Sequence, residues 1–419
     1  GYYYLTRNVE LTDKSWTVPA SGVVLCLNGK SITGANGQDV ITVSSDVTFT
    51  LTDCSSRNTG NGTVTHNEKA KGRGVYVNGG TFNMYGGSIT GNTATGNDSY
   101  GGGVYVINGT FKMCGGSITD NTATGGSGVC VRWKNSSFTM SGSAVITGNT
   151  ATNDGGGVAV MNGGQFDMSG SAVISGNKAN NATTNGRGGG VYVYGEETAG
   201  STVYKGTFNM YGGSITGNTA KKGGGVYVGQ KGTFNMESGT IGGPRGNTAT
   251  NGGGVYVYGG TFTMTDGSIT RNTADDGSGG VYVGGKATFT MTNGSITGNT
   301  AKISDGGGVC VSGGTFTMNN GNITGNKTSR CGGGVCVGNS GQFTMTDGSI
   351  TGNKADASGG GVSVEENATF TMTGGTMTGG TISGNTASNF GGGVYVKSNT
   401  FTVSGPVKIT DNCQGGEKN

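Results

Sequence analysis

The chain has 419 residues, of which 93 are glycine and 3 proline, and its 26 Lys and Arg against 23 Asp and Glu leave a net charge of +3. Glycine at this level without a Gly-X-Y period excludes collagen, and scattered charges with no long basic run argue against a nucleic-acid partner. No stretch of 18 apolar residues occurs, so no membrane insertion is expected.

Residues 1–15 read as an N-terminal lead-in or cap in which Tyr2, Tyr3, Tyr4 and Leu5, and then Val9 to Leu11, are extended and apolar. A start at Gly1 without a signal sequence fits a mature secreted product, and equally a fragment of something longer. Residues 16–412 read as one repetitive body and 413–419 as a tail. Two early copies are disguised. Leu25-Cys26-Leu27 with Ser31-Ile32-Thr33 matches one, and Ile41 to Val43, Phe49 to Leu51 and Val64-Thr65 match the next, with Arg57–Gly62 inserted. From there the phrase GGGVYV, TFxM, GGSITGNTA recurs. Its first valine falls at Val75, Val104, Val129, Val158, Val191, Val226, Val255, Val281, Val309, Val335, Val362 and Val394. A spacing of about 29 residues is the mark of a solenoid, propeller or array, in which each unit buries its apolar face against its neighbours.

Three segments of every copy alternate apolar and polar residues, which is the strand period. In V-Y-V the valines face in and the tyrosine out. In TFTM the Phe and Met face in, and in SIT the Ile does. Three strands per copy are too few for a four-stranded propeller blade. They predict an all-β parallel β-helix, a β-solenoid with three short strands per rung and about 14 rungs. Stacking then gives pure columns of Phe, Met and Ile. The Met column is core filler, and neither a metal nor any other cofactor is expected. Asn92, Asn121, Asn149, Asn177, Asn218, Asn272, Asn299, Asn326, Asn353, Asn385 and Asn412 form a further column, three places after the Ile. Identical amides at strand spacing hydrogen-bond along such a ladder, and asparagine also tolerates a left-handed turn. Small residues two places later, such as Ala94, Ala123 and Ala301, predict a tight inward corner.

The stretch Ile89–Asn92 followed by Gly101–Val104 resembles repeats of the polymorphic outer-membrane and autotransporter type, which pair FxxN with GGA(I/V/L). Here Ile replaces Phe, and no C-terminal membrane barrel segment accompanies the repeats. The resemblance covers about residues 23–412. It implies a right-handed parallel β-helix of a bacterial surface protein, with secretion, display and often adhesion. The chain also looks like glycine-rich β-helix regions of large surface proteins of gut-type bacteria.

Pectate-lyase-like enzymes share that fold, and an active site of that kind needs clustered carboxylates. Asp98, Asp154, Asp276, Asp305 and Asp356 precede the glycine run, mostly one per rung, and read as solvated turn residues. The single histidine, His66, takes a glycine place beside Asn67. No catalytic constellation emerges, and no enzymatic activity is expected. The more suggestive surface is the outward side of V-Y-V, where Tyr105, Trp133, Met161, Tyr192, Tyr194, Tyr227, Tyr256 and Tyr258 make an aromatic and apolar strip suited to glycans or a host-cell surface. Packing of neighbouring rings across rungs accounts for the same pattern.

The eight cysteines show no zinc spacing and read mostly as isolated substitutions, with Cys130, Cys310 and Cys336 in the tyrosine place. Cys310 and Cys336 are expected one rung apart, at about 4.8 Å. That is within disulfide reach, although parallel side chains oppose the bond. At the ends, Tyr2–Leu5 on one side and Phe401, Val403, Val407 and Ile409 on the other read as open edges. They suggest head-to-tail stacking with other copies of the chain, with Cys26 and Cys413 near the joint. The expectation is an extracellular or cell-surface structural solenoid, with a glycan-binding adhesin and a polysaccharide lyase or hydrolase as rivals.

Overall fold

An inward residue that recurs at one place in every turn meets its own kind in the next, provided the strands pair parallel and in register. The computed structural model meets that condition. It describes residues 1–55, 61–96, 99–180, 186–197, 203–373, 381–398, 400–415 and 417–418. The chain divides into two units, Gly1–Ser214 and Ile215–Asn419. Among the described residues there is no helix, and all but two of the strands, Thr207–Thr216 and Thr233–Gly242, have five residues or fewer.

In the first unit Val104–Ile107 pairs parallel with Val75–Asn78 on one side and Val129–Arg132 on the other, valine on valine. Phe82, Phe111, Phe138, Phe166 and Phe208 are wholly buried and stack ring on ring at 4.7–4.8 Å. Ile89, Ile118, Ile146 and Ile174 pair in the same way. The second unit repeats the scheme. Its rings from Phe234 to Phe401 stack at 4.6–4.8 Å, and Met236, Met264, Met291, Met318, Met345 and Met372 are fully buried. Burial of each such side chain contributes about 1.5–3 kcal/mol.

Three departures from the expected pattern have physical reasons. A fourth short ladder joins the three, because the two residues after a ladder asparagine, most often Thr-Ala, also pair: Ala123 on Ala151 in the first unit, Ala249 on Ala274 on Ala301 in the second. The alanines are buried at this corner. Secondly, the first disguised copy is shifted by two residues. Val23, not Leu25, lies on Phe49, and Leu25 lies on Leu51. Residues 1–15 continue these ladders, with Tyr2–Tyr4 on Val24–Cys26 and Val9–Glu10 on Ile32–Thr33. Of the predicted insertion Arg57–Gly62, residues 57–60 lie outside the described residues, as does Asp98. Thirdly, Cys26 is joined to Cys54, with Cα atoms 5.8 Å apart. It is therefore neither an isolated substitution nor free to reinforce a joint between copies.

The asparagine column is a continuous amide ladder within each unit. Asn299 shows the pattern. Its Nδ2 donates to Asn326 Oδ1 at 3.0 Å and to the Ile269 carbonyl at 2.9 Å. Its backbone N–H donates to the same Asn326 Oδ1 at 2.9 Å. Its own Oδ1 accepts two bonds from Asn272. Every hydrogen-bonding position of the amide is used, which makes complete burial tolerable. The left-handed residue at this corner is not the asparagine but the one before it: Gly298, Gly325 and Gly352, with Asp120, Arg271 and Asp411 in the same role elsewhere.

The glycine triplet answers a different demand at each place. Gly306 has φ +75°, and a Cβ there would lie 2.7 Å from Cys310 Cβ, because the chain doubles back over the strand. A Cβ on Gly308 would meet the Gly334 carbonyl at 2.6 Å and Ile323 Cγ2 at 3.0 Å. At Gly325, by contrast, a Cβ would meet nothing within 4 Å, so only the left-handed backbone asks for glycine.

These differences order three substitutions in the second unit. Gly325→Ala should cost about 1 kcal/mol, the left-handed penalty alone. Gly308→Ala should cost more, because backbone rather than a flexible side chain blocks it. Asn326→Ala should cost most. It orphans two donors on Asn299 and the Ile296 carbonyl, at about 1–3 kcal/mol per buried group. Thermal unfolding followed by circular dichroism checks the order, and an Asn326→Ala midpoint above that of Gly325→Ala would contradict it.

Candidate functional site

The outward face of the V-x-V strands does not present the expected open strip. Tyr105, Tyr192, Tyr227 and Tyr256 are buried, while Met161 and Tyr194 are partly covered. Only Trp133 and Tyr258 are exposed, at 39% and 44%. The cause is the doubling back of the chain at the glycine triplet, which lays the preceding residues over the tyrosine column. Beneath that roof the rings stack on one another: Tyr76 on Tyr105 at 5.8 Å in the first unit, and Tyr227 on Tyr256 on Tyr282 at 5.4 and 4.5 Å in the second. Burial, with Tyr282 and Tyr227 alongside, holds the Tyr256 phenol above its ordinary range.

Cations complete the roof. Arg73 lies 4.7 Å from the Tyr105 ring and pairs with Asp39 at 3.5 Å. Arg187 lies 5.2 Å from the Tyr192 ring, and its Nε and Nη2 donate to the two carboxylate oxygens of Asp154 at 2.8 and 2.6 Å. Arg132 stands 4.5 Å from Trp133. In the second unit Lys222 Nζ is 5.7 Å from Tyr256. Asp154 is thus not a solvated turn residue but a buried partner of arginine, and burial outweighs that arginine in raising its carboxyl. Asp356 is exposed and 3.5 Å from Lys354, as a solvated residue should be.

His66 does pair with a glycine place, Gly34, yet it has a definite task. Its Nδ1 lies 2.8 Å from Asn92 Oδ1 and its Nε2 lies 2.9 Å from the Gln38 carbonyl. The ring therefore closes the N-terminal end of the asparagine ladder of the first unit.

The feature least visible in the sequence is a groove of about 370 Å³ in the second unit, where the tyrosine column gives way to Cys310, Cys336 and Ser363. Cys310 and Cys336 are in register on adjacent strands, as expected. They stand as free thiols, and the neighbouring Cys310 thiol together with burial holds Cys336 in its protonated form. Asp276, Asp305 and Glu365 line the same groove, with Tyr282. Two of the aspartates read as separate turn residues are therefore brought together, with a glutamate that was not singled out. Among the described residues no three His, Cys, Asp or Glu side chains are placed to hold a metal ion.

Sequence reasoning also missed Asn247. It belongs to the ladder, donating to Asn272 Oδ1 at 2.9 Å, but six residues rather than three separate it from Ile241. The intact Thr248-Ala249 and Gly252–Val255 after it were the available signal.

A family model described as a right-handed beta helix region matches residues 253–417. No curated protein and no solved structure matches the chain. Together with the ladders, the match defines a right-handed parallel β-helix repeat protein.

The groove carries a test of its own electrostatics. Burial holds the Asp305 carboxyl above the ordinary range. The Cys331 amide and Arg330 pull it down, and Glu365 and Asp276 push it up. A carboxyl that binds its proton more tightly when folded loses stability for the fold as pH rises from the unfolded value, about 3.9, through the raised folded value. Asp305→Asn removes that loss. The variant should unfold at a higher temperature than the parent at neutral pH, with the gap closing as pH falls to about 4. A gap that does not change with pH would exclude titration of Asp305 as its cause.

Proposed function

We propose that this chain is a non-enzymatic structural β-solenoid that works outside the cell, as a surface rod, stalk or fibre subunit. The observation that carries the reading is where its side chains are spent. Phe, Met, Ile, Val and Asn columns use their surfaces and hydrogen bonds on the neighbouring turn, so repetition rather than one singular constellation organises the molecule. The Cys26–Cys54 disulfide supports the extracellular part of the reading, since such bonds persist in oxidising compartments. Self-association through the ends extends it. Tyr2–Tyr4 are exposed beside an apolar groove of about 390 Å³ that includes Leu5, Val9, Leu11 and Trp16. At the other end Val403 and Ile409 are exposed, while Phe401 and Val407 are half-covered.

Two measurements test this. Incubation with acidic and neutral polysaccharides, with and without calcium, should release neither unsaturated nor reducing ends, and product that disappears with Asp305→Asn would replace the structural reading by an enzymatic one. Sedimentation of residues 1–419 should show species that grow with concentration and shrink when residues 1–15 are removed. A monodisperse monomer at high concentration would remove self-assembly from the proposal.

The exposed Trp133, backed by Arg132, favours a second reading as a glycan-binding adhesin. Replacing Trp133, Met161 and Tyr194 together by Ser should then abolish binding on a glycan array without lowering the unfolding midpoint. Unchanged binding would assign these side chains to packing.

A further inference from the structure

The roof over the V-x-V face closes when two places are filled: the residue just before the glycine triplet, and the central residue of the strand beneath it. In the first unit Arg187 and Tyr192 fill them, with Asp154 gripping the guanidinium through two hydrogen bonds. Across three turns of the second unit both places turn small or short. The roof residues are Asp305, Cys331 and Ser358, and the residues beneath them are Cys310, Cys336 and Ser363. Of these, Asp305, Cys310 and Cys336 line the groove of about 370 Å³.

Its walls keep the other two parts of the arrangement. The Tyr282 ring, stacked at 4.5 Å on Tyr256, stands at the side of the preceding turn. Asp276, Asp305, Glu365 and Glu366 supply four carboxylates against one ammonium, Lys397. Lys397 is taken by Glu366 at 3.1 Å, and Arg330 reaches Asp305 at 3.6 Å from outside, with 63% of its side chain exposed. A carboxylate and a tyrosine face thus meet in one groove, although here the ring belongs to the turn before Asp305, whereas at Arg187 it belongs to the turn after Asp154, and Ser363 Oγ donates to Glu365 at 2.7 Å.

We propose that this groove binds a guanidinium group from outside the chain, held by Asp305 and Glu365 and lying against the Tyr282 ring. Planar, weakly hydrated and rich in donors, a guanidinium suits paired carboxylates and aromatic faces better than an ammonium does. Its source is an arginine side chain of a partner polypeptide or a small arginine-like molecule. The inference does not rest on the structural reading above, since a stalk and an enzyme could each carry such a site.

Titration calorimetry on residues 1–419 tests it with N-acetyl-arginine amide as the probe and N-acetyl-citrulline amide as its neutral isostere. The arginine probe should bind saturably at one site, and the citrulline probe at least about tenfold more weakly. The double variant Asp305→Asn, Glu365→Gln should lose at least as much. Cys310→Tyr restores the ring column and fills the groove, so it should abolish binding. Should that variant fail to fold, the carboxamide pair still decides the question. A Gly-Arg-Gly peptide binding more tightly than the capped amino acid supports a polypeptide source, and the reverse order supports a small molecule. Absence of saturable binding, equal binding of the citrulline probe, or unaltered binding in the carboxamide pair would overturn the proposal.

Discussion

The constraint on which the rest depends is that each asparagine amide is wholly buried and wholly satisfied. A buried amide without partners costs several kcal/mol. Here Nδ2 and the backbone N–H both donate to the next amide oxygen, so the ladder tolerates no shift of one turn against another. Register fixed at that corner is register fixed everywhere. The phenylalanines can stack at 4.6–4.8 Å only because the turns cannot slide, and the third glycine of a triplet, as at Gly308, is required because the next turn's glycine carbonyl, with the ladder and the isoleucine, leaves no room for a Cβ.

The ladders were legible in the sequence because a strand has a period of two and a solenoid repeats it once per turn. Val75, Phe82 and Ile89 could each be assigned a direction from alternation, and Asn92 a place in a ladder from its recurrence three residues after the isoleucine. What failed did so where the signal is not periodic. The offset of Val23 on Phe49 was misread because aliphatic residues at 23, 25 and 27 alternate equally well in either frame. Asn247 was lost to an insertion that bulges between Ile241 and the ladder. The Cys26–Cys54 bond joins neighbouring turns without lying in one column, since Cys26 is level with Thr52.

The site was less legible than the fold for a related reason. Alternation says which way a side chain leaves its strand, not what the chain does afterwards. The tyrosines do point away from the core, yet a left-handed glycine such as Gly252 folds the backbone over Tyr256, and outward became buried. The same roof turns the replacement of Tyr by Cys or Ser into a groove. Asp276 and Asp305 lie 29 residues apart in the sequence and share a cavity only because roof and strand are both short in side chain there.

The bulge before Asn247 shows something about the architecture at large. Four residues, Gly243 to Gly246, stand between the strand and the amide, and the ladder passes through Asn247 as if they were absent, bonded to Asn218 on one side and Asn272 on the other. A corner that absorbs extra chain without losing step separates the bookkeeping of the core from the content of the surface. In genetic terms, whole repeats can be duplicated or deleted and short segments spliced into corners while the remaining turns still find their partners. Both the number of turns and the loops they carry are then heritable variables, free to drift or be selected with no new core having to be invented.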